Sequence, residues 1–176
     1  MIAKYHPFLR ILHWVMALLM ITMLFLGWYM ANMVEKNNPM RGSLYDLHKS
    51  VGVTLLILVV IRIAIRLATF VPPLPATIHP LIRAAAKVSH YTLYIFMVLM
   101  PLSGYGMSNS FGRGVALFGI PLPKILPDNK EIGGLLREVH GVVGYALMGL
   151  VALHAAAALW HRFFDKQEND VLPRMV

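Results

Sequence analysis

Four long stretches without charge run along this chain, separated by segments rich in polar residues, proline or glycine. The first, Ile11 to Val34, carries no Asp, Glu, Lys or Arg for 24 residues and has Trp28 and Tyr29 towards its far end, where amphipathic rings suit a membrane interface. It predicts a helix over 10–32. A second span over 44–68 has a shorter uncharged core, Ser50 to Ile61, because Arg62 and Arg66 follow; their side chains are expected to snorkel to the lipid headgroups. Span three covers 81–107, uncharged from Val88 through to Gly112 beyond its end, and Pro101 is expected to kink it. Span four covers 135–163, around the 23 uncharged residues from Val139 to His161. At about 1.5 Å per residue, each reaches far enough to cross hydrocarbon about 30 Å thick.

The connections are mostly brief. Glu35 to Gly42 is too short for a domain, and Pro39 and Gly42 mark a turn in it. Phe70-Val-Pro-Pro-Leu-Pro75 cannot continue a helix. A longer loop, from about Ser108 to Gly133, is expected to serve a function or to fold against the body. Lys4 and Arg10 ahead of the first run look like the start of a signal peptide, but that run exceeds the roughly 7–15 residues of a signal core and no cleavage pattern follows, so it reads as a retained span. The pattern therefore predicts an all-α membrane protein: one domain over 1–176, a four-transmembrane-helix bundle running up and down, with both termini on one side.

Composition agrees with this reading. Hydrophobic residues make up 58% of the chain and the mean hydropathy is +0.64, an excess that has to face something other than water. Cysteine is absent, which excludes disulfides, thiolate ligation and covalent c-type haem. The charge of +8 comes with no DNA or RNA motif, so nucleic acid is not an expected partner and the basic residues belong at membrane interfaces. Nine Lys and Arg residues fall on the side of the termini against seven on the other. That bias places the termini in the cytoplasm.

Chemistry concentrates in the histidines. His140 and His154 lie fourteen residues apart on span four, an interval of close to four turns that puts both on one face about 21 Å apart. His13 opens span one and His48 opens span two, so His13 and His154 share the cytoplasmic level while His48 and His140 share the periplasmic one. Two imidazoles from different helices at each level can clamp an iron porphyrin from both faces, in the part of a bundle where cofactors are usually built. Gly52, Gly141, Gly144 and Ala155 to Ala158 are expected to make room for a flat macrocycle, though small residues also serve plain helix packing. A lone histidine at a helix end is more often an interfacial polar group. The depth pairing of four argues for ligation, and a bare-metal or proton path would recruit an intramembrane carboxylate, which no span offers deep in its run.

Arg10-Ile-Leu-His13-Trp14, Leu47-His48-Lys-Ser-Val-Gly52, Ser89-His90-Tyr-Thr-Leu-Tyr94, Val139-His140-Gly141, and Leu153-His154 through His161 to Asp170-Val-Leu-Pro-Arg-Met175 together resemble the bacterial cytochrome b561 family over nearly the whole chain. The same plan is similar to the cytochrome b subunits of membrane formate dehydrogenases and hydrogenases. The resemblance implies a bundle in the bacterial inner membrane holding two haem b groups. In it His13 and His154 ligate the cytoplasmic iron and His48 and His140 the periplasmic one, and a quinone, ubiquinone or menaquinone, reacts near the cytoplasmic haem. His90 lies near that level and can supply a proton to the quinone. Arg83 and Lys87 precede it on the same stripe, and His161 is expected at similar depth on span four; these can meet quinone, haem propionate or lipid phosphate.

Some members of the family oxidise superoxide at the periplasmic face. Lys36, Lys49, Arg113, Lys124 and Arg137 can focus such an anion there, against five acidic neighbours that reduce the field. The expected function is electron transfer between a periplasmic one-electron donor, superoxide or a redox protein, and membrane quinone. The alternative is a dihaem anchor for a separate dehydrogenase or periplasmic partner.

Overall fold

Two of the four long helices begin at a proline, which has no N–H to lose in a first turn. The computed structural model describes residues 3–176, with α1 over Pro7–Asn32, α2 over Arg41–Ala68, α3 over Pro80–Ser110 and α4 over Lys130–Phe163. All four are long and apolar enough to cross a membrane. They start up to five residues before the hydropathy pattern places them, because caps extend them into polar sequence. The His79 ring accepts the Leu81 N–H at the head of α3, and Asn129 Oδ1 accepts Glu131 N–H at 2.9 Å and Ile132 N–H at 3.1 Å at the head of α4. Pro101 sits inside α3 without ending it.

The helices pack α1 on α2, α2 on α3 and α3 on α4. Met16, Met20 and Met23 of α1, Leu55 and Val59 of α2 and Leu147 of α4 form the interior, with Leu93, Tyr94, Phe96 and Met97 of α3 packed against them. Unbranched methionine fills irregular gaps between helices better than a branched side chain does. Large apolar residues such as Ile11, Leu18, Phe25, Leu67, Val88, Val142 and Leu153 point outward, as a bundle surrounded by lipid requires.

Both termini and the α2–α3 link lie at one end, here called inner. The Tyr5 N–H donates to Arg174 O at 3.1 Å, Trp14 Nε1 to Met175 O at 2.9 Å, Thr77 Oγ1 to Asn169 Oδ1 at 2.6 Å, and Arg174 to Pro73 O. At the opposite, outer end the long loop is reduced to 111–129, because α3 and α4 both extend into it. It holds a minimal antiparallel ladder, β1 (Ala116–Leu117) and β2 (Ile120–Pro121), a strand element that the all-α expectation lacks. Phe118 (φ 47°) and Gly119 (φ 91°) turn it with left-handed backbone at both central positions. The loop is fastened to α2: Ser50 Oγ accepts Phe118 N–H at 3.0 Å and reaches Ala116 O at 3.1 Å, while Lys49 Nζ donates to Gly114 O at 3.1 Å. The expectation of a loop folded against the body thus takes definite form.

The expectation that Arg62 and Arg66 snorkel outward is corrected. Arg62 is only 8% exposed and turns inward, its Nη1 donating to Leu9 O of α1 at 2.5 Å. A helical carbonyl keeps a second lone pair for such a bond, and α1 passes α2 at this height. Arg66 is half-buried, with its guanidinium 5.9 Å from the Tyr5 ring centre and 5.7 Å from that of Tyr94. Aromatic faces take the place of headgroups.

Candidate functional site

At the outer level the rings of His48 and His140 stand 6.2 Å apart between centroids, at 74°, and line one apolar cavity with Met20, Met23, Leu55, Met97 and Gly52. His140 is held by its Nδ1, 2.9 Å from Met100 O and 3.2 Å from Ser103 Oγ of α3. A carbonyl only accepts, so this nitrogen carries the proton and Nε2 is left as the basic one, the arrangement that metal-ligating histidines adopt. Gly104 makes the approach feasible: a Cβ there would lie 2.9 Å from His140 Cε1 and 3.1 Å from its Nδ1. Gly27 of α1 seats His48 in the same way but less tightly, at 3.4 Å. The buried His48 Nδ1 has no hydrogen-bond partner among the described residues.

At the inner level His13 and His154 are also 6.2 Å apart, at 72°, and His90 lies 5.4 Å from His154. Trp14 packs edge-on against His13 at 5.2 Å. Arg62 is within electrostatic range of all three histidines, and Arg66 of His90. Arg83 is half-buried and Lys87 exposed. Among the described residues neither makes a side-chain hydrogen bond or ion pair, so the charges bearing on His90 come from α2 rather than from its own helix.

His161 departs from its expected depth. His90 touches the His154 level, and His161 lies seven residues further along α4, roughly 10 Å nearer the inner surface. There its Nδ1 donates to Asp165 Oδ2 at 2.6 Å. The Lys166 backbone N–H, the Asn169 amide and the His161 ring all bond the Asp165 carboxylate and hold its pKa below the ordinary 3.8.

These pairs fit a haem. Two imidazoles bonding one iron from opposite faces at about 2 Å, each nitrogen about 1.1 Å from its ring centre, put their centroids about 6 Å apart. Edge-to-face aromatic contact gives similar spacings, so the distance is not the whole case. The proton-bearing Nδ1 of His140 and the glycine seats point the same way. Among the described residues no three His, Cys, Asp or Glu side chains converge on a bare-metal site, and a porphyrin needs only two protein ligands because its own nitrogens supply the rest.

The sequence profile of prokaryotic cytochrome b561 matches residues 4–176. The chain belongs to that family. "Cytochrome b561 homolog 2" of Escherichia coli (strain K12) is 31% identical over 166 residues, 93% of this chain and 86% of that protein. "Probable superoxide oxidase CybB" of Yersinia pestis is 29% identical over 129 residues, 73% of each. "Cytochrome b561 homolog 1" of Escherichia coli (strain K12) is 27% identical over 171 residues, covering 93% of this chain and 92% of its own length. As a cytochrome b561 the protein is a multi-pass bacterial membrane protein, and haem b with electron transfer comes with the family.

Several residues of this cytochrome b561 that shape the two levels were not among the expected ones: Gly27, Gly104, Ser103, Arg62 and Arg66. Gly141 meets open space rather than a ring, and a Cβ on Gly144 would meet Met100 Cε at 3.1 Å. Of the expected small residues only Gly52 borders the cavity. A signal for most of the missing ones was present. The fourteen-residue interval of His140 and His154 recurs as His13 and Gly27, His48 and Arg62, and His90 and Gly104, so each helix contributes one residue to each level. On the outer face, Lys49 is paired with Asp46 at 2.9 Å and Lys124 with Asp128 at 2.7 Å, which neutralises two of the five cations expected to gather an anion.

Proposed function

We propose that the protein carries electrons between a donor at its outer face and quinone at its inner end, using two haem b groups. His13 and His154 ligate the inner iron, His48 and His140 the outer one. The single observation behind this is the recurrence of one imidazole pair, 6.2 Å between centroids and from separate helices, at both ends of the bundle. Bound haem supplies one-electron chemistry at iron, and an imidazole on each side leaves no position for oxygen to bind.

The protein's own residues do the rest. Met100 O and Ser103 orient His140, and the loop stapled to Ser50 closes the outer end. His90, beside His154 and facing Arg62 and Arg66, hands a proton to the reduced quinone; Arg83, Lys87 and His161 lie on the path by which quinone or protons reach it. The inner end faces the cytoplasm and the protein sits in the inner membrane, which agrees with the excess of Lys and Arg at that end. Superoxide is the donor that the Yersinia pestis relative's name supports. Two superoxide anions each give up one electron and leave as dioxygen, and one quinone takes both electrons with two protons.

Haem quantified per chain, with a reduced-minus-oxidised spectrum of purified protein, tests the ligand sets. Two haems are expected, with one lost in His48→Ala and the other in His154→Ala; a colourless protein refutes the reading. Superoxide and ubiquinone added together should give quinol, and His90→Ala should slow its formation. A second reading, the dihaem anchor, draws on the exposed Phe118 and Ile120 at the hairpin tip, a surface suited to a periplasmic redox partner. It predicts co-purification of that partner and no superoxide-dependent quinol.

A further inference from the structure

The two levels differ in charge, and that difference bears on which way electrons settle. Arg62 is buried, turned inward onto Leu9 O of α1, and within electrostatic range of His13, His90 and His154, with Arg66 one turn further along α2. Among the described residues neither guanidinium has a carboxylate partner. Two carboxylates at this end are already engaged, Asp165 by His161 at 2.6 Å and Asp170 by Arg162 at 2.5 Å, and Glu168 is exposed. Among the described residues Arg62 makes a single hydrogen bond, to Leu9 O, out of the five that a guanidinium can donate. An unpaired intramembrane charge is costly enough that it marks function by default.

Nothing comparable stands at the outer level. Among the described residues no Lys or Arg bears electrostatically on His48 or His140. The adjacent Lys49 is neutralised by Asp46 and tied to Gly114 O.

We propose that Arg62, assisted by Arg66, holds the reduction potential of the inner haem above that of the outer one, so that electrons collect at the end where quinone is reduced. This rests on the two-haem reading. Ferric iron carries one more positive charge than ferrous, so a nearby cation disfavours the oxidised form; in a low-dielectric interior the effect is large and little screened by salt. If a haem propionate is drawn to Arg62, the sign is unchanged, because a paired carboxylate opposes reduction less than a bare one. Arg62 also occupies the height on α2 that lies fourteen residues from His48, so the helix that supplies an outer ligand supplies the inner charge.

A spectroelectrochemical titration of the purified, haem-loaded protein tests this, with His154→Ala identifying the inner wave. The parent should titrate in two waves with the inner one higher. Arg62→Gln should lower the inner midpoint by about 59 mV, the equivalent of a tenfold change in the ferrous to ferric ratio for one electron, and leave the outer wave in place. Arg62→Lys, which keeps the charge, should restore most of the difference. Should Arg62→Gln fail to retain haem, Arg66→Gln carries the test and should move the same wave in the same direction by less. Equal midpoints in the parent, an inner wave lying below the outer one, a haem-retaining Arg62→Gln variant whose inner wave does not move, or the same result in Arg66→Gln where that variant carries the test overturn the inference. A parent with one haem or none overturns the two-haem reading instead.

Discussion

At the outer level α1 and α3 contribute Gly27 and Gly104; fourteen residues away, at the inner level, the same helices contribute His13 and His90. α2 exchanges a histidine for an arginine between the levels, and only α4 brings a histidine to both. The outer site is thus positioned by steric fit and hydrogen bonding, with His140 pressed onto α3 at Gly104 and anchored to Met100 O. The inner site is crowded with titratable and cationic groups. A site that only passes electrons gains from rigidity. One that must also pass protons gains from spare imidazoles and a field, and on the proposed function this difference separates a relay from a reaction site.

Variants can break that contrast. The largest effect is expected from Gly104→Ala, whose new Cβ would fall within 2.9 Å of the His140 ring. Displacing a ligand's support commonly costs 10–100-fold in affinity, so outer-haem binding should fall by roughly that factor while the inner haem is retained. Haem titration of apoprotein reads this, and equal loss of both haems would show that the levels are not independent. Ser103→Ala removes the 3.2 Å contact to Nδ1 and the serine's own 2.9 Å bond to Met100 O, and leaves that carbonyl bonded to His140. It should weaken the same site by about 1 kcal/mol. Gly27→Ala sharpens the point from the other side: its Cβ would meet His48 at an ordinary 3.4 Å, and outer-haem affinity should change by less than roughly 0.5 kcal/mol.

The smallest effect lies outside the spans. Because Asp165 has its pKa lowered in the folded chain, its contribution to the tail is present above the ordinary carboxylate value and is lost as pH falls through the depressed one. The protection of residues 166–170 against hydrogen exchange, relative to an unstructured chain at the same pH, should therefore be unchanged from neutral pH down to about 4 and should fall only below that. Asp165→Ala should exchange faster throughout.

Much of this architecture was legible along the chain. Uncharged runs such as Val139 to His161 set helix number, approximate bounds and the sharing of one end by both termini, because lipid forces the backbone to satisfy itself within each span. The pairing of His13 with His154 and of His48 with His140 at common heights was also readable, since helical rise converts residue number into depth. His161 was misjudged because depth on one span was compared with depth on another before their relative stagger was known.

What a residue turns towards is a different matter. The interval that links His48 to Arg62 gives a height and a face, yet composition alone reads that arginine as a headgroup anchor, and only the passage of α1 beside it supplies the Leu9 carbonyl that draws it inward. Gly104 and Gly27 are two of thirteen glycines until the rings of His140 and His48 arrive from other helices. The order of apolar and polar residues determined the spans and the depths of the imidazoles, because each helix settles those alone against lipid. Which ring lies on which backbone, and which charge is left without a partner, are properties of helix pairs and were decided only when the four packed together.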